Sequence, residues 1–254
     1  MISREDLLAV AELKHLPVGL AETDYLQDIA LMIASNRLGN RIIFKGGTCL
    51  YKAYKLDRFS EDLDFTAAKR FSEDDFLERM PYFFGLLNIN SRIRVERFGS
   101  GINVYLDVYG PLYDGTKETV KTIIFNISLR ERVLLPYLRY PYLSSYNEVR
   151  PFDLFVMDER EILAEKVRAI YTRNKARDVY DLWYLMVRKS ITLDLKVTGR
   201  KLSYSKIKFA KSSFMTEVHK KGNSWRRDLS ALVSGELLDF SQVEEDIGRV
   251  IGAD

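Results

Sequence analysis

The sequence predicts an α/β (α+β) chain: helices and strands mixed over residues 1–150, with a mainly helical region over 151–254. Three observations predict it. Short apolar or alternating runs bounded by turn residues recur between about positions 42 and 156. Helical periodicity dominates the first forty residues and returns after Asp158. Pro136, Pro141 and Pro151 punctuate the stretch where the two halves meet, which sets a boundary near residue 150.

Taken in order, the first forty residues read as helical, with Leu26, Ile29, Ala30 and Ile33 on one stripe. "RIIF" is a short buried strand ending at Gly46-Gly47, and "TCLYKAYKL" resumes a helix. "FSEDLDF" alternates, so as a strand it shows Ser60, Asp62 and Asp64 on one face and Leu63 and Phe65 on the other. "GINVYLDVYG" and "KTIIFNISLRE" are further strands joined through the turn "DGTKE". After the proline-rich section "FDLFVMD" reads as another strand. Asp158 with Glu161 three residues on then resembles a capping box, opening the helix "EREILAEKVRAIYTR". A second helix covers "RDVYDLWYLMVRK", and the rest is helical in pattern without repeats.

Composition narrows the chemistry. With 254 residues, 46% hydrophobic and 30% charged, the chain has the balance of a soluble globular protein. No apolar run reaches membrane-span length, and "MISREDLLAV" lacks the form of a secretory signal, so the expected location is the cytoplasm with no membrane partner. Cys49 is the only cysteine, and His15 and His219 lie in different surroundings. That leaves no disulfide framework, no thiolate cluster, and no footprint for zinc hydrolases or Ser-His-Asp catalysis. A metal here is expected to be held by oxygen, as magnesium or manganese are.

The net charge of +3 is unevenly spread. Between 196 and 227 stand Lys196, Arg200, Lys201, Lys206, Lys208, Lys211, Lys220, Lys221, Arg226 and Arg227 against the single acid Glu217. Such a tract is either a polyanion footprint or a set of solvated helix faces.

The acids of "RFSEDLDF" carry the strongest chemical signal. Aspartates at i and i+2 of a strand have Cα atoms roughly 6.5 Å apart and parallel side chains, so they can converge on one divalent ion. On a half-buried face two like charges repel and lose hydration, which a bound cation would offset. Upstream, the Gly46-Gly47 turn between strand and helix lets backbone N–H groups approach a phosphate, and Thr48 adds a hydroxyl. A phosphate cradle with a paired-aspartate clamp suits nucleotide transfer from a magnesium-bound triphosphate.

"GGTCLYKAYKLDRFSEDLDF" resembles the signature of the polymerase-β-like nucleotidyltransferases in the version carried by the AbiEii/AbiGii toxin family. "EREILAEKVRAIYTRNKARDVYDLWYL" is similar to that family's downstream lysine helix and R-D-x-x-D helix, so the resemblance spans roughly residues 25 to 190. It implies a nucleotidyltransferase core with a mixed sheet over 1–150 and a helical C-terminal domain over 151–254 that contributes Lys166 and Asp178. Gly46, Gly47, Thr48, Arg58 and Ser60 would form the nucleotide site, Asp62 and Asp64 would hold Mg2+ or Mn2+, and Asp62, Asp64, Lys166 and Asp178 would be catalytic, with Asp181 the second acid of its motif.

Helix geometry bears on Lys166 and Asp178 separately. At about 100° per residue, Ile162, Leu163, Val167 and Ile170 form an apolar arc with Lys166 inside it, and Asp178 lies between Leu182 and Leu185. A lysine so placed snorkels, pairs with an acid or faces a ligand. A buried Lys166–Asp178 ion pair and a phosphate-facing lysine both satisfy the pattern.

In one respect the chain departs from the family it resembles. Where that family places a third carboxylate on a neighbouring strand, this chain aligns Asn126, which can coordinate but cannot act as a base. Asp107 and Asp178 are the alternative acids. Cys49, Trp183 and the tyrosines read as packing groups, while Trp225 fits either core or basic tract.

The resemblance implies a toxin-type enzyme that transfers a nucleoside monophosphate from a metal-bound triphosphate to the 3′ end of tRNA, with a cognate antitoxin protein as partner. The rival readings are a transferase that modifies protein side chains, and a non-catalytic nucleotide- or RNA-binding module of the same fold.

Overall fold

The computed structural model describes residues 1–68 and 70–252. In chain order its elements are helices α1 (Arg4–Leu13) and α2 (Val18–Leu38), strand β1 (Ile42–Lys45), α3 (Gly46–Tyr54), β2 (Leu63–Ala67), α4 (Glu73–Leu86) and β3 (Ser91–Phe98). Strands β4 (Gly101–Val108), β5 (Lys121–Ser128), β6 (Leu138–Tyr142) and β7 (Phe152–Val156) follow. The chain ends in α5 (Glu159–Thr172), α6 (Ala176–Trp183), α7 (Leu195–Ser203), α8 (Lys211–Lys220), α9 (Trp225–Leu229) and α10 (Phe240–Gly252).

The chain divides into two compact units. The first comprises Met1–Cys49, Glu61–Val133 and Tyr137–Val156, and the second comprises Leu50–Ser60, Leu134–Pro136 and the chain from Met157 onward. The chain thus passes into the second unit for good after Val156, and two short earlier segments also belong to it.

All seven strands form one mixed sheet in the first unit, ordered β3-β4-β5-β2-β1-β7-β6. The β2–β5 and β1–β7 pairs are parallel and the others antiparallel. Helix α2 packs on β5 and β7, and α4 packs on α2 and β3. In β4, Ile102, Val104, Leu106 and Val108 are buried while Asn103, Tyr105 and Asp107 between them are half-buried, the alternation of a strand with one covered face. Helix α2 is buried nearly all round, so its polar groups need partners inside the protein. Asp28 accepts from Tyr142 Oη at 2.9 Å and Ser144 Oγ at 2.6 Å, Asp24 accepts from Tyr146 Oη at 3.0 Å and from Lys14, and Glu22 accepts from the Leu112 N–H at 2.7 Å.

Sequence patterning leaves α4, β3 and β6 unidentified. Strand β6 carries Pro141, which a strand tolerates at the rim of a sheet, and β6 is a rim strand. Strand β3 occupies the opposite rim, where its exposed Arg92, Arg94 and Glu96 lower the apolar signal. The proline-rich section is therefore partly strand.

In the second unit α5 contacts α6, α7 and α8, and α6 contacts α9 and α10. Ile162, Leu163, Val167 and Ile170 are fully buried, as the apolar arc predicts. Asp158 caps α5 by accepting from the Arg160 N–H at 2.9 Å. Glu161 does not complete a reciprocal box: its carboxylate accepts from the N–H groups of Leu134 and Leu135 at 2.9 and 2.8 Å and pairs with Lys201 at 2.7 Å. Trp183 and Trp225 are both buried, their indole N–H groups donating to Asp246 and to the Leu238 carbonyl. Helix α6 runs on into a π-helical turn over Tyr184–Arg188. Among the described residues no helix is long and apolar enough to cross a membrane.

Candidate functional site

In the first unit, β1 delivers Lys45 to the turn at Gly46, which begins α3 with φ +77°. Glycine is required there twice over. The left-handed backbone disfavours a side chain, and a Cβ at this position would lie 2.2 Å from Asp64 Oδ2. Gly46 therefore lets the start of α3 approach the Asp64 carboxylate closely.

The two acids are presented differently from the strand expected over "FSEDLDF". Strand β2 begins only at Leu63, so Asp64 lies within it while Asp62 and Ser60 precede it. Residues of other elements take the preceding carbonyls: Thr48 Oγ1 donates to the Asp62 carbonyl at 2.5 Å and Gln27 Nε2 to the Glu61 carbonyl at 2.7 Å. Side chains thus take backbone acceptors that a neighbouring strand would otherwise satisfy. The Thr48 side chain is fully buried with its hydroxyl on the chain that carries Asp62, and so holds that residue's backbone in place. Leu63 and Phe65 are buried and Asp62 and Asp64 half-buried, so the in-out alternation holds across the strand start.

Register places three of these side chains in one row. Asp64 stands opposite Lys45 of β1 on one side and Asn126 of β5 on the other. Asn126 Nδ2 donates to Asp64 Oδ1 at 3.0 Å. Lys45 Nζ meets Glu131 Oε2 at 3.4 Å, and both residues are only 8% exposed. Lys45, Asp64, Asn103, Asn126, Ser128 and Glu131 all line an open cavity of about 220 Å³. Asp107 lies four residues along β4 from Asn103 and is held by Thr122 and Arg94; it does not line the cavity.

Magnesium commonly takes one or two carboxylates from the protein and completes its shell with water and substrate phosphate; Asp62 and Asp64, both half-buried, are carboxylates of the kind that would hold it, and of the two Asp64 lines the cavity. Among the described residues no group of three or more His, Cys, Asp or Glu is arranged to hold an ion.

The remaining sequence-predicted residues belong to the second unit. Arg58 is buried, and its guanidinium makes a two-pronged bond to Asp181, 2.7 Å to each oxygen, with a third contact to the Phe59 carbonyl at 3.0 Å. Lys166 Nζ bridges Asp181 Oδ2 at 2.6 Å and Asp178 Oδ1 at 2.9 Å. Arg173 in turn grips both oxygens of Asp178 at 2.7 and 2.8 Å. The result is a chain of alternating charge, Arg58–Asp181–Lys166–Asp178–Arg173, and it contains the Lys166–Asp178 ion pair that helix geometry allows. Burial by itself would raise both carboxyls, but Lys166 with Arg173 holds Asp178, and Arg58 with Lys166 holds Asp181, below the usual carboxylate range. Burial would likewise lower Lys166, and the two aspartates outweigh it and raise it instead. Ser60 is buried in the same unit.

Sequence reasoning passes over Lys45 and Glu131. Lys45 adjoins the glycine turn and could have been found from that position; Glu131 lies past the end of β5 in a segment without periodicity.

Comparison with known proteins agrees with the architecture. Among solved structures, MenT4, a nucleotidyltransferase toxin from Mycobacterium tuberculosis H37Rv, superposes with a TM-score of 0.65 at 19% identity, covering 98% of this chain and 88% of that one. JHP933 from Helicobacter pylori superposes with a TM-score of 0.62 at 18% identity, covering 94% and 92%. No curated protein matches the sequence. A family model described as the nucleotidyl transferase AbiEii toxin of type IV toxin–antitoxin systems matches residues 30–245, extending beyond the 25–190 span legible from the motifs into the C-terminal helices. The chain belongs to the AbiEii family of nucleotidyl transferase toxins.

Proposed function

We propose that this protein transfers a nucleoside monophosphate from a nucleoside triphosphate to the 3′ end of a tRNA in the cytoplasm, and that a cognate antitoxin restrains it. The observation that carries the reading is the meeting of the Gly46 turn with Asp64, in one row with Lys45 and Asn126 on a polar cavity. Backbone N–H groups at Gly46, Gly47 and Thr48 would face phosphate, where the start of α3 favours negative charge. Asp62 and Asp64 would hold magnesium or manganese, which when bound supplies charge stabilisation at the phosphates. The acceptor oxygen forms a bond to the α-phosphorus as the bond to the bridging oxygen of pyrophosphate breaks. Pyrophosphate leaves with that electron pair, and the hydroxyl proton passes to solvent.

Transfer is also expected to depend on Lys166 and Asp178, which occupy the positions of the family's downstream lysine and aspartate. Arg58, Ser60 and Asp181 complete the set of residues on which activity should depend. The choice of RNA as acceptor is supported by the tract from 196 to 227, in which eight of the ten cations (Lys196, Arg200, Lys206, Lys208, Lys211, Lys220, Arg226, Arg227) are exposed. Lys201 and Lys221 are instead buried against Glu161, Glu165 and Glu217.

The test is incubation with each labelled nucleoside triphosphate, magnesium, and either total RNA or a protein lysate. Label in RNA, lost in a folded Asp62→Ala, Asp64→Ala variant, is the expected result. Label only in protein would replace the tRNA reading with protein modification, and no label in either would make the chain a binding module.

A further inference from the structure

Proximity to the glycine turn singles out a cation that the motifs do not name. Lys45 is the last residue of β1, immediately before Gly46, and it stands opposite Asp64 in the β1–β2 pair. Directly paired residues of neighbouring strands project to the same face of a sheet, so the Lys45 side chain shares its face with Asp64 and Asn126. Both Lys45 and Glu131 line the cavity beside them. An ammonium as buried as this one is retained only against opposite charge. Lys45 Nζ meets Glu131 Oε2 at 3.4 Å, which fixes a cation on the wall of the cavity one residue from the glycine turn.

We propose that Lys45, oriented by Glu131, is the cation that meets the terminal phosphates of the triphosphate in this cavity. The inference rests on the transferase reading for its substrate, while its geometry stands independently. Negative charge accumulates on the departing pyrophosphate as the bond to the α-phosphorus breaks, and a fixed ammonium one residue from the phosphate turn would stabilise it. Glu131 is a positioning residue: the N–H of its own backbone donates to Ser128 Oγ at 3.3 Å, which ties the segment after β5 to the strand end.

Calorimetric titration with magnesium tripolyphosphate tests Lys45 without requiring transfer. In Lys45→Met, with the melting temperature checked, affinity should fall about ten- to a hundredfold, the usual consequence of losing a hydrogen bond to a charged group. Lys45→Arg should retain more affinity than Lys45→Met. Undiminished binding by folded Lys45→Met, or no binding by the unaltered protein, overturns the assignment. In the unaltered protein, acylation of Lys45 followed by mass spectrometry should slow at least tenfold when magnesium tripolyphosphate is present, and equal rates would also overturn it. The role of Glu131 is read from kcat/KM: Glu131→Gln should reduce transfer in the parent and add little in a Lys45→Met background, whereas additive losses would remove Glu131 from the proposal. If the protein binds tripolyphosphate through Lys45 yet transfers no nucleotide, the transferase reading fails and this assignment survives. Should transfer proceed unchanged in Lys45→Met, the reverse holds.

Discussion

Asn126 Nδ2 donates to Asp64 Oδ1 at 3.0 Å across the parallel β2–β5 pair, so an amide rather than a second carboxylate faces Asp64 from the neighbouring strand. Asn126→Asp would convert that hydrogen bond into a like-charge contact. Without divalent ions the variant should lose about 1 kcal/mol, or roughly 2–4 °C of melting temperature. Magnesium should restore stability and bind more tightly than to the parent protein. Thermal melts over a magnesium series check this, and a variant indifferent to the ion would argue against a metal at Asp64.

Gly46→Ala combines a side chain at φ +77° with a Cβ 2.2 Å from Asp64 Oδ2. The expected cost is about 1–3 kcal/mol for the backbone alone, with displacement of Asp64 in addition. Denaturant melts and transfer assays should both register the change, activity falling further than stability predicts.

Thr48→Val retains the shape of the side chain and removes the hydroxyl that donates to the Asp62 carbonyl. A loss of about 1–3 kcal/mol is expected for the acceptor left without this bond. If Thr48 serves to place Asp62, kcat should fall while tripolyphosphate affinity stays near that of the parent. Steady-state kinetics and titration together separate the two effects.

Lys166→Met leaves Asp178 and Asp181 buried without the cation they share, for an expected loss of about 3–5 kcal/mol. Asp178→Asn probes the pH dependence. The folded-state carboxyl of Asp178 is lowered, so its contribution is fully present above the unfolded value of about 3.9 and declines as pH falls toward the folded value. Lys166 is raised, so its contribution persists below about 10.4 and is lost only as pH rises through its folded value. The stability difference between parent and Asp178→Asn should therefore be flat from about pH 5 to 9 and narrow below about pH 4, as measured by denaturant melts across pH.

The legible parts of the fold are those with a strong local signal. The apolar arc of α5 and the Asp158 cap could be read from spacing because helix periodicity and capping act over a few neighbouring residues. The alternation at Leu63, Asp64 and Phe65 was equally readable, yet the start of β2 was not, because Thr48 and Gln27 reach in from other elements to take the preceding carbonyls. Strand β6 stayed hidden because Pro141 is permitted only by its rim position, which a sequence does not display.

The sequence by itself determined the family motif, the alternation of Asp62 and Asp64 with Leu63 and Phe65, the glycine turn that opens α3, and the presence of Lys166 and Asp178 on apolar helix faces. Only the tertiary structure decided who partners whom. Lys166 is shared by two aspartates and Arg58 closes on Asp181, a contact between residues 123 positions apart. Lys45 meets Glu131 from 86 positions away, and Asn126 meets Asp64 from 62. Patterns of burial follow from local periodicity. The choice among opposite charges depends on which elements sheet register and helix packing bring within about 3 Å, the range at which a buried charge is compensated.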